Sequence, residues 1–516
     1  MKFTPRLGKQ LRSTVIIRIV AAISGLTLIA FPVAYVGWRD LASINLWFDE
    51  SGQYWLALGL HHFSDPLAFT GGLAKMIEFG RVFNSDPGGF TFLLRGWISL
   101  FGSSPIALRS LPFLFFLLIP VIVLVSARRV GASPILAVVA ASAPLGSVML
   151  LHYATELRAY SMEACAVTFL FFVPAWHSEI SKTKNIFVLG FVASLLVASR
   201  YSAFLYAAAA CLVVILPLRS RRTALLRAFF FAAPIVLLVI WSYLIFARFQ
   251  AGGSHRPPVY VEPYLLFEKD QTAILGLLRD NFLSQEGIAV TVFLGIAPLF
   301  AWFGPKGLAE LRSIIGRMAL FCLLSVVFVA VASLAGKLPW AVHTRWSIGY
   351  QALSASCFAM VLIMVTTWLR DRSNGLFGKG VLLLAACCFA IFWTRRLRWS
   401  VTTPRPYYET LGSHLQSIGE SAGAYQLRLY VQTGASPTVR YLCEHGPLKG
   451  QFGYPKLFHI ETADEGNRSS PISPKDFDVI VVTHLSFADS YRSRVTGGTV
   501  EQIGDPQPSC LLFLKK

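Results

Sequence analysis

Two adjacent acids, Asp49 and Glu50, follow the first long apolar run of the chain, with Phe48 before them and Tyr54 and Trp55 shortly after. A carboxylate in such a position can take a proton from an attacking hydroxyl group and act as a general base. In an extended segment neighbouring side chains point apart, so one acid could reach a substrate while the other binds a metal or caps a helix. The aromatic surroundings favour a pocket at the bilayer boundary, which suits an enzyme whose substrate arrives in the lipid. The alternative is structural, because acids at the start of a helix stabilise its N-terminus.

A second polar group lies in a short connection between two apolar runs. His152, Glu156 and Tyr160 are spaced four residues apart. If the connection is helical, these three side chains share a face and Arg158 points elsewhere. An acid, a base and a phenol on one face form a compact candidate site. The alternative is a surface pair between Glu156 and Arg158, which contributes little to stability.

A third group is cationic and consists of Lys337, His343 and Arg345 in a late connection. Cations on the outer face of a membrane protein run against the usual excess of Lys and Arg in cytoplasmic loops. They therefore indicate an anionic partner, for which a lipid phosphate is the natural candidate. The alternative is that the long side chains only extend to the lipid headgroups.

Metal binding has weaker support. The pairs His61-His62 and Asp49-Glu50 supply ligand types without a recognised ligand spacing. The sequence predicts no certain cofactor and leaves a divalent metal open, with Glu156 and His61 as candidate ligands. It contains no phosphate-cradling glycine loop, nucleophile elbow or Cys/His cluster, so a soluble nucleotide-sugar site is not indicated.

The composition places these residues in a membrane protein. Hydrophobic residues make up 55% of the chain and charged residues 14%, whereas soluble domains are about a quarter charged. The mean hydropathy is +0.58. A helix needs about 20 mostly apolar residues to cross a bilayer. The predicted fold is an all-α polytopic membrane protein, with eleven spans at 13–37, 105–126, 134–152, 162–178, 186–199, 201–217, 226–247, 288–303, 318–336, 347–368 and 380–394.

The orientation follows from the basic residues of the connections. With eleven spans, the Lys and Arg clusters fall on one side, which puts the N-terminus in the cytoplasm and the C-terminus outside. The bases are scattered over membrane loops and account for most of the net charge of +19, so nucleic-acid binding is not indicated. The first apolar run is long and has no clear cleavage site, which favours a retained span.

The polar tail beyond residue 395 predicts a small α/β domain on the outer side. Its predicted elements are strands at 427–432, 477–482 and 510–514 and a helix at 436–442. The domain prediction is a transmembrane module at 1–395, including an outer loop at 38–104, and an α/β domain at 396–516. Cys443 and Cys510 are the two cysteines of the tail, and a disulfide between them is left open.

Taken together, these motifs resemble the polytopic GT-C glycosyltransferases. The similarity is greatest to the bacterial branch related to protein O-mannosyltransferases and lipid A aminoarabinose transferases. The resembling segments, which cover most of the chain in order, are Phe48–Glu50 with Tyr54-Trp55, Asp86–Phe90, Leu93–Arg95, Phe101-Gly102, Ala107–Arg109, Ala154–Tyr160, Arg345-Trp346 and the strand and helix at 427–442.

The resemblance implies a sugar transfer at the periplasmic face of the bacterial inner membrane, for a cell-envelope glycan or lipopolysaccharide. The donor would be a polyprenyl-phosphate sugar, the acceptor a glycan, lipid or protein, and the transfer inverting. No soluble cofactor is implied.

The resemblance also implies roles for individual residues. Asp49 would be the general base and Glu50 would support it or touch the acceptor. The implied donor-phosphate and substrate site comprises Glu156, Arg158, Tyr160, Lys337, His343, Arg345, Tyr54 and Asp86. The chain departs from the family pattern at Asp86–Gly89, where many relatives carry His-Pro-Pro, and at Trp346, where a Tyr is common.

Two other functions fit parts of the sequence. One is an O-antigen polymerase or ligase, which also handles lipid-linked sugars. The other is a transporter or flippase, which should place ionisable residues within its spans. Arg18 and Glu163 are the few candidates and lie near span ends, so the polar outer loops favour chemistry at the membrane surface.

Overall fold

The chain is seen here as a computed structural model that is mostly helical and divides into two compact units. The first unit comprises 1–38, 86–90 and 112–402, and the second comprises 39–85, 91–111 and 403–516. The residues that the structure describes are 27, 29–38, 40–41, 46, 48–60, 71–83, 86–176, 183–215, 221–252, 284–304, 308–334, 347–372, 428–432, 435–445, 458–460, 471–473, 476–482, 488–503 and 511–515.

The described helices follow one another through both units. In chain order they are α1 (Ile29–Trp38), α2 (Phe48–Leu58), α3 (Leu73–Phe83), α4 (Gly89–Phe101), α5 (Pro105–Arg129), α6 (Pro134–Ser142), α7 (Val148–His152), α8 (Tyr160–Phe172), α9 (Thr183–Val197), α10 (Tyr201–Ile215), α11 (Arg221–Ser242), α12 (Arg248–Gly252), α13 (Gln285–Phe303), α14 (Ala309–Leu334), α15 (Ile348–Arg372), α16 (Ser436–His445) and α17 (Ala488–Arg494). A π-helical turn at Tyr243–Ala247 joins α11 to α12.

Four helical stretches in the described residues are long and apolar enough to cross a membrane: Pro105–Arg129, Leu225–Gln250, Ala309–Ser333 and Ile348–Leu369. They overlap with four of the predicted spans, 105–126, 226–247, 318–336 and 347–368. On Leu225–Gln250 large apolar side chains face outward, with Phe229 63% and Leu237 66% exposed. Exposed apolar surface of this kind is unfavourable in water and favourable in lipid. The apolar helices therefore indicate a membrane-associated protein.

The other predicted spans correspond to shorter helices or lie partly outside the described residues. The span predicted at 134–152 is wrong as a single helix, because α6 and α7 are separated by a 3-10 turn at Ala143–Gly146. Pro144 cannot donate the backbone hydrogen bond that would continue α6. Ser147 then starts α7 as its N-cap, and its hydroxyl accepts from the amide of Leu150. The span predicted at 380–394 lies outside the described residues.

Helix α8 is the centre of the first unit. Each residue from Tyr160 to Phe172 is buried, and α8 packs against α9, α10, α14 and α15. A helix that is apolar on all sides is stable only when neighbours surround it. The polar side chains at its N-terminal end are therefore held by a rigid core.

The second unit contains a mixed sheet of five described strands, β1 (Leu429–Val431), β2 (Phe458–Ile460), β3 (Val479–Val482), β4 (Val500–Ile503) and β5 (Leu511–Lys515). The strand order is β2-β1-β3-β5-β4, in which β1 pairs parallel with β2 and β3 while β5 pairs antiparallel with β3 and β4. Strands β1, β3 and β5 and helix α16 lie where the sequence predicted them.

The second unit includes residues that lie outside the predicted α/β domain at 396–516. Residues 39–85 and 91–111, which were assigned to the transmembrane module, group with 403–516. Within this unit α2 packs against α16. The first connection and the polar tail thus belong to one compact unit.

The turn Asp86–Gly89 joins the first unit through close backbone contact. Gly88 has a φ of +85°, a conformation that side chains disfavour. A Cβ on Gly89 would collide with the Cβ of Ala198 and lie 2.5 Å from its carbonyl oxygen. Two adjacent glycines therefore allow this turn to lie directly on the backbone that precedes Arg200.

We predict that Gly89→Ala destabilises the first unit by about 2 kcal/mol, because the new methyl group overpacks the contact with Ala198. Thermal unfolding in detergent measures the change. Gly295→Ala in α13 is the matched control, since a Cβ there meets no atom within 4 Å and an alanine favours the helix. Equal thermal stability of the two variants would contradict the close-contact explanation.

Candidate functional site

Arg200 lies between two carboxylates in the first unit. Its Nη1 is 3.0 Å from Oε2 of Glu163, and its Nε is 3.6 Å from Oδ1 of Asp86. The three side chains are 9%, 1% and 8% exposed. Buried charges are costly unless they are paired, and here each carboxylate faces the same guanidinium group.

Oε1 of Glu163, the carboxylate oxygen that does not face Arg200, also has a hydrogen-bond partner. The hydroxyl of Ser202 donates to Oε1 over 2.5 Å. Gly349, at the start of α15, leaves room on the same side, since a Cβ there would lie 3.0 Å from Oε1. Glu163 is thus fixed by α10 and by the beginning of α15, in addition to Arg200.

A second arginine faces Asp86. Nη2 of Arg158 lies 4.0 Å from Oδ2 of Asp86, and the Arg158 side chain is 18% exposed. The ring of Tyr160 lies 5.0 Å from the guanidinium carbon of Arg200, within the range of a cation–π interaction. The cluster therefore contains two acids and two bases, with Arg158 as its most accessible charged member.

Hydrogen bonds from other segments fix the backbone of Asp86. Nε2 of Gln250 donates to the Asp86 carbonyl over 3.3 Å, and the Tyr201 hydroxyl donates to Oε1 of Gln250 over 2.8 Å. The cluster thus draws on four connections that the basic-residue pattern predicts on one side of the membrane. We refer to Asp86, Arg158, Glu163 and Arg200 below as the ionic cluster.

His152, Glu156 and Tyr160 do not share a helical face, because the condition of a helical connection is not met. Helix α7 ends at His152, α8 begins at Tyr160, and the residues between them are not helical. The Ser161 hydroxyl donates to the carbonyl of Tyr153 over 2.9 Å, which turns the connection back on itself. Glu156 is buried at 5% exposure, and Arg158 forms its ion pair with Asp86.

In the second unit, Asp49 and Glu50 lie in the first turn of α2. The two acids thus lie in a helix and not in an extended segment, at the N-terminal position that the structural alternative gave them. Oε2 of Glu50 lies 3.1 Å from Nη2 of Arg109, with side chains 3% and 2% exposed. Asp49 is half-buried, so it is the more accessible of the two acids.

Tyr54 contacts helix α16 within the second unit. Its hydroxyl is hydrogen-bonded to Nε2 of His445 over 3.0 Å, and its ring packs edge-on against Tyr441. Burial raises the pKa of Tyr441, whose protonated hydroxyl donates to the carbonyl of Ser103 over 3.2 Å. Tyr54 is therefore a packing residue of α2 as well as a candidate site residue.

The remaining predicted site residues, His61, Lys337, His343 and Arg345, lie outside the described residues, as do the side chains of Cys443 and Cys510. Where the structure is described, no group of three or more His, Cys, Asp or Glu side chains is arranged to hold a metal ion.

Sequence reasoning missed Arg200, Glu163, Arg109 and Gln250 as members of polar clusters. A signal existed for Arg200, because an arginine between two short apolar runs must find a partner. Glu163 was noted only as an acid near a span end. The partners are 37 residues apart for Glu163 and Arg200 and 59 apart for Glu50 and Arg109, so no local pattern joins them.

No protein-family model and no curated protein matches the chain.

We predict strong coupling between Glu163 and Arg200. Arg200→Met leaves two buried acids without their shared base and should lower the free energy of unfolding by about 3–5 kcal/mol. Glu163→Gln should lower the free energy of unfolding by a smaller amount, because Asp86 still faces Arg200. The double variant should be more stable than the sum of the two single losses predicts, by at least about 1 kcal/mol.

Chemical unfolding in detergent measures this double-mutant cycle. Arg129→Met is the control for loss of an arginine, because Arg129 lies at the end of α5 and contacts the Trp176 ring. Strict additivity of the Glu163 and Arg200 variants would rule out the buried pair as a coupled unit.

Proposed function

We propose that the chain is a glycosyltransferase that moves a sugar from a polyprenyl-phosphate donor to an acceptor on the periplasmic face of the inner membrane. The observation that carries the proposal is the ionic cluster at one end of an apolar bundle. Arginine recognises phosphate through paired, charge-assisted hydrogen bonds. A membrane-bound donor would present its phosphate at such a boundary between apolar helices and polar connections.

Arg158 is the member of the cluster best suited to bind phosphate. Its distance to Asp86 is 4.0 Å, whereas Arg200 lies 3.0 Å from Glu163. Because Arg158 is also the more exposed arginine, it can turn toward an incoming phosphate while Arg200 continues to compensate Asp86. Negative charge grows on the phosphate as the sugar leaves, so a cation placed there stabilises the transition state more than the ground state. Lys337, His343 and Arg345 remain further predicted phosphate contacts from the sequence.

Asp49 is the proposed general base. It would accept the proton of the acceptor hydroxyl as that oxygen attacks the anomeric carbon on the face opposite the phosphate. The bond between the anomeric carbon and the phosphate oxygen breaks, the electron pair leaves with the phosphate, and the configuration is inverted. Glu50 is held by Arg109, so its proposed role is to support α2 rather than to take the proton.

A transporter or flippase for lipid-linked sugars is the second candidate. The observation in its favour is the buried Glu163–Arg200 pair among apolar helices, because ionisable residues inside membrane segments often mark a transport pathway. A transporter would move the lipid-linked sugar without breaking the sugar–phosphate bond. The two functions are therefore separated by whether that bond is cleaved.

We predict that Asp49→Asn abolishes transfer or hydrolysis of a polyprenyl-phosphate sugar while donor binding is retained, because an amide cannot accept the proton. The measurement is turnover of a panel of polyprenyl-phosphate sugars by the purified full-length protein in detergent. Undiminished turnover by folded Asp49→Asn would remove Asp49 from the mechanism. Translocation without cleavage by wild type in proteoliposomes would favour the transporter.

We predict that Arg158→Gln weakens donor binding about tenfold, because one charge-assisted contact to phosphate is lost. Arg158→Lys should recover part of the affinity, since it keeps the charge but not the paired geometry. Arg129→Gln is the matched control and should bind donor as wild type does. Equal affinity of Arg158→Gln and wild type would contradict a phosphate contact at this position.

A further inference from the structure

Helix α16 and helix α2 are joined in the second unit by two side-chain hydrogen bonds and a cation–π contact, in addition to the packing of Tyr54 on Tyr441. Oγ of Ser51 lies 3.1 Å from Oγ1 of Thr438 in a buried hydrogen bond. The guanidinium carbon of Arg440 lies 4.3 Å from the ring centre of Trp55. These two contacts adjoin the hydrogen bond between the Tyr54 hydroxyl and His445 described above.

The contacts form one stripe on α2. Ser51, Tyr54 and Trp55 follow the spacing of three and four residues that aligns side chains on one face of a helix. Glu50 lies next to this stripe, where Arg109 holds it. Helix α2 is therefore contacted on two adjoining faces, by α16 on one and by Arg109 on the other.

The support behind α16 is rigid. Strand β1 is fully buried and lies between β2 and β3 in the sheet. The end of β1 is bonded to the start of α16, because the amides of Ala435 and Ser436 donate to the carbonyl of Gln432 over 2.8 and 3.2 Å. A displacement of α16 would disturb these bonds, so the sheet fixes where α16 meets α2.

We infer that α16 is the positioning element for α2, the helix that carries Asp49 and Glu50, and that His445 and Arg440 are positioning residues. The catalytic consequence rests on the proposed function. It gives the α/β part of the chain a role in holding the general base rather than in contacting the sugar. Effective general-base catalysis depends on placement within a fraction of an ångström, which three side-chain contacts can supply and a mobile helix cannot.

The test compares two substitutions at His445 in the full-length protein. His445→Phe keeps a ring but cannot bond to the Tyr54 hydroxyl, whereas His445→Gln keeps a polar partner. We expect His445→Phe to lower kcat on the order of tenfold, with the donor KM changed by less than about twofold. His445→Gln should restore most of kcat.

A second readout does not depend on turnover. Amide hydrogen exchange of residues 48–58 should be faster in His445→Phe than in wild type, while exchange in β1 and β3 stays unchanged. Thr438→Val, which removes only the bond to Ser51, should give a smaller change in the same direction. It also provides a variant in case His445→Phe fails to fold.

Arg428→Gln is the matched control on the same sheet. Arg428 pairs with Asp478 over 2.9 Å, and the side-chain hydrogen bond to Asp478 raises the pKa of Arg428. Loss of the Arg428–Asp478 pair should leave both kcat and the amide hydrogen exchange of residues 48–58 unchanged. Equal effects of Arg428→Gln and His445→Phe would mean general destabilisation of the sheet and would overturn the proposal.

The outcomes separate this inference from the proposed function. If wild type turns over no polyprenyl-phosphate sugar, the proposed function fails and the exchange data still decide whether α16 holds α2. Unchanged exchange in both His445→Phe and Thr438→Val overturns the positioning of α2. Faster amide exchange of residues 48–58 in His445→Phe with an unchanged kcat overturns the catalytic consequence of this positioning.

Discussion

The balance of buried charge around Arg200 is the constraint on which the first unit depends. Two acids and two bases lie together at one end of a mostly apolar bundle, and their burial is tolerable because acids and bases are equal in number and face one another. Several local features of the sequence follow from this requirement. Gly88 and Gly89 allow the turn that carries Asp86 to lie close to Arg200. Gly349 leaves space beside Glu163.

The ionic cluster has a tightly paired part and a more accessible part. Glu163 and Arg200 form the short inner pair, anchored by Ser202 and by the buried helix α8. Arg158 forms the longer outer contact and is the more exposed arginine. A ligand can therefore compete for the outer base without exposing the inner pair. The arrangement in the second unit is comparable, because Glu50 is held internally while Asp49 is left more accessible.

Much of the secondary structure was predictable, whereas the polar partnerships were not. Long apolar runs such as 105–126 and strands such as 477–482 have local signatures, so composition and periodicity were enough. The break at Pro144 was also visible in the sequence but was outweighed by the hydropathy of the surrounding run. The pairs Glu163–Arg200 and Glu50–Arg109 depend on helix packing, which no spacing along the chain encodes. Strands β2 and β4 are as short as β1 and β3, but polar residues interrupt their apolar pattern, His459 in β2 and Glu501 and Gln502 in β4, so they were missed.

The π-helical turn at Tyr243–Ala247 affects how this chain can be compared with others. A π turn accommodates one residue more than an α turn, so every later side chain is rotated by about 100° around the helix axis. Gln250 lies just beyond it and reaches the Asp86 carbonyl because of that rotation. A homologous helix one residue shorter at this turn would present a different side chain to Asp86. Single-residue gaps between 243 and 247 in an alignment would therefore mark proteins whose site is built differently, even where the flanking sequence is similar.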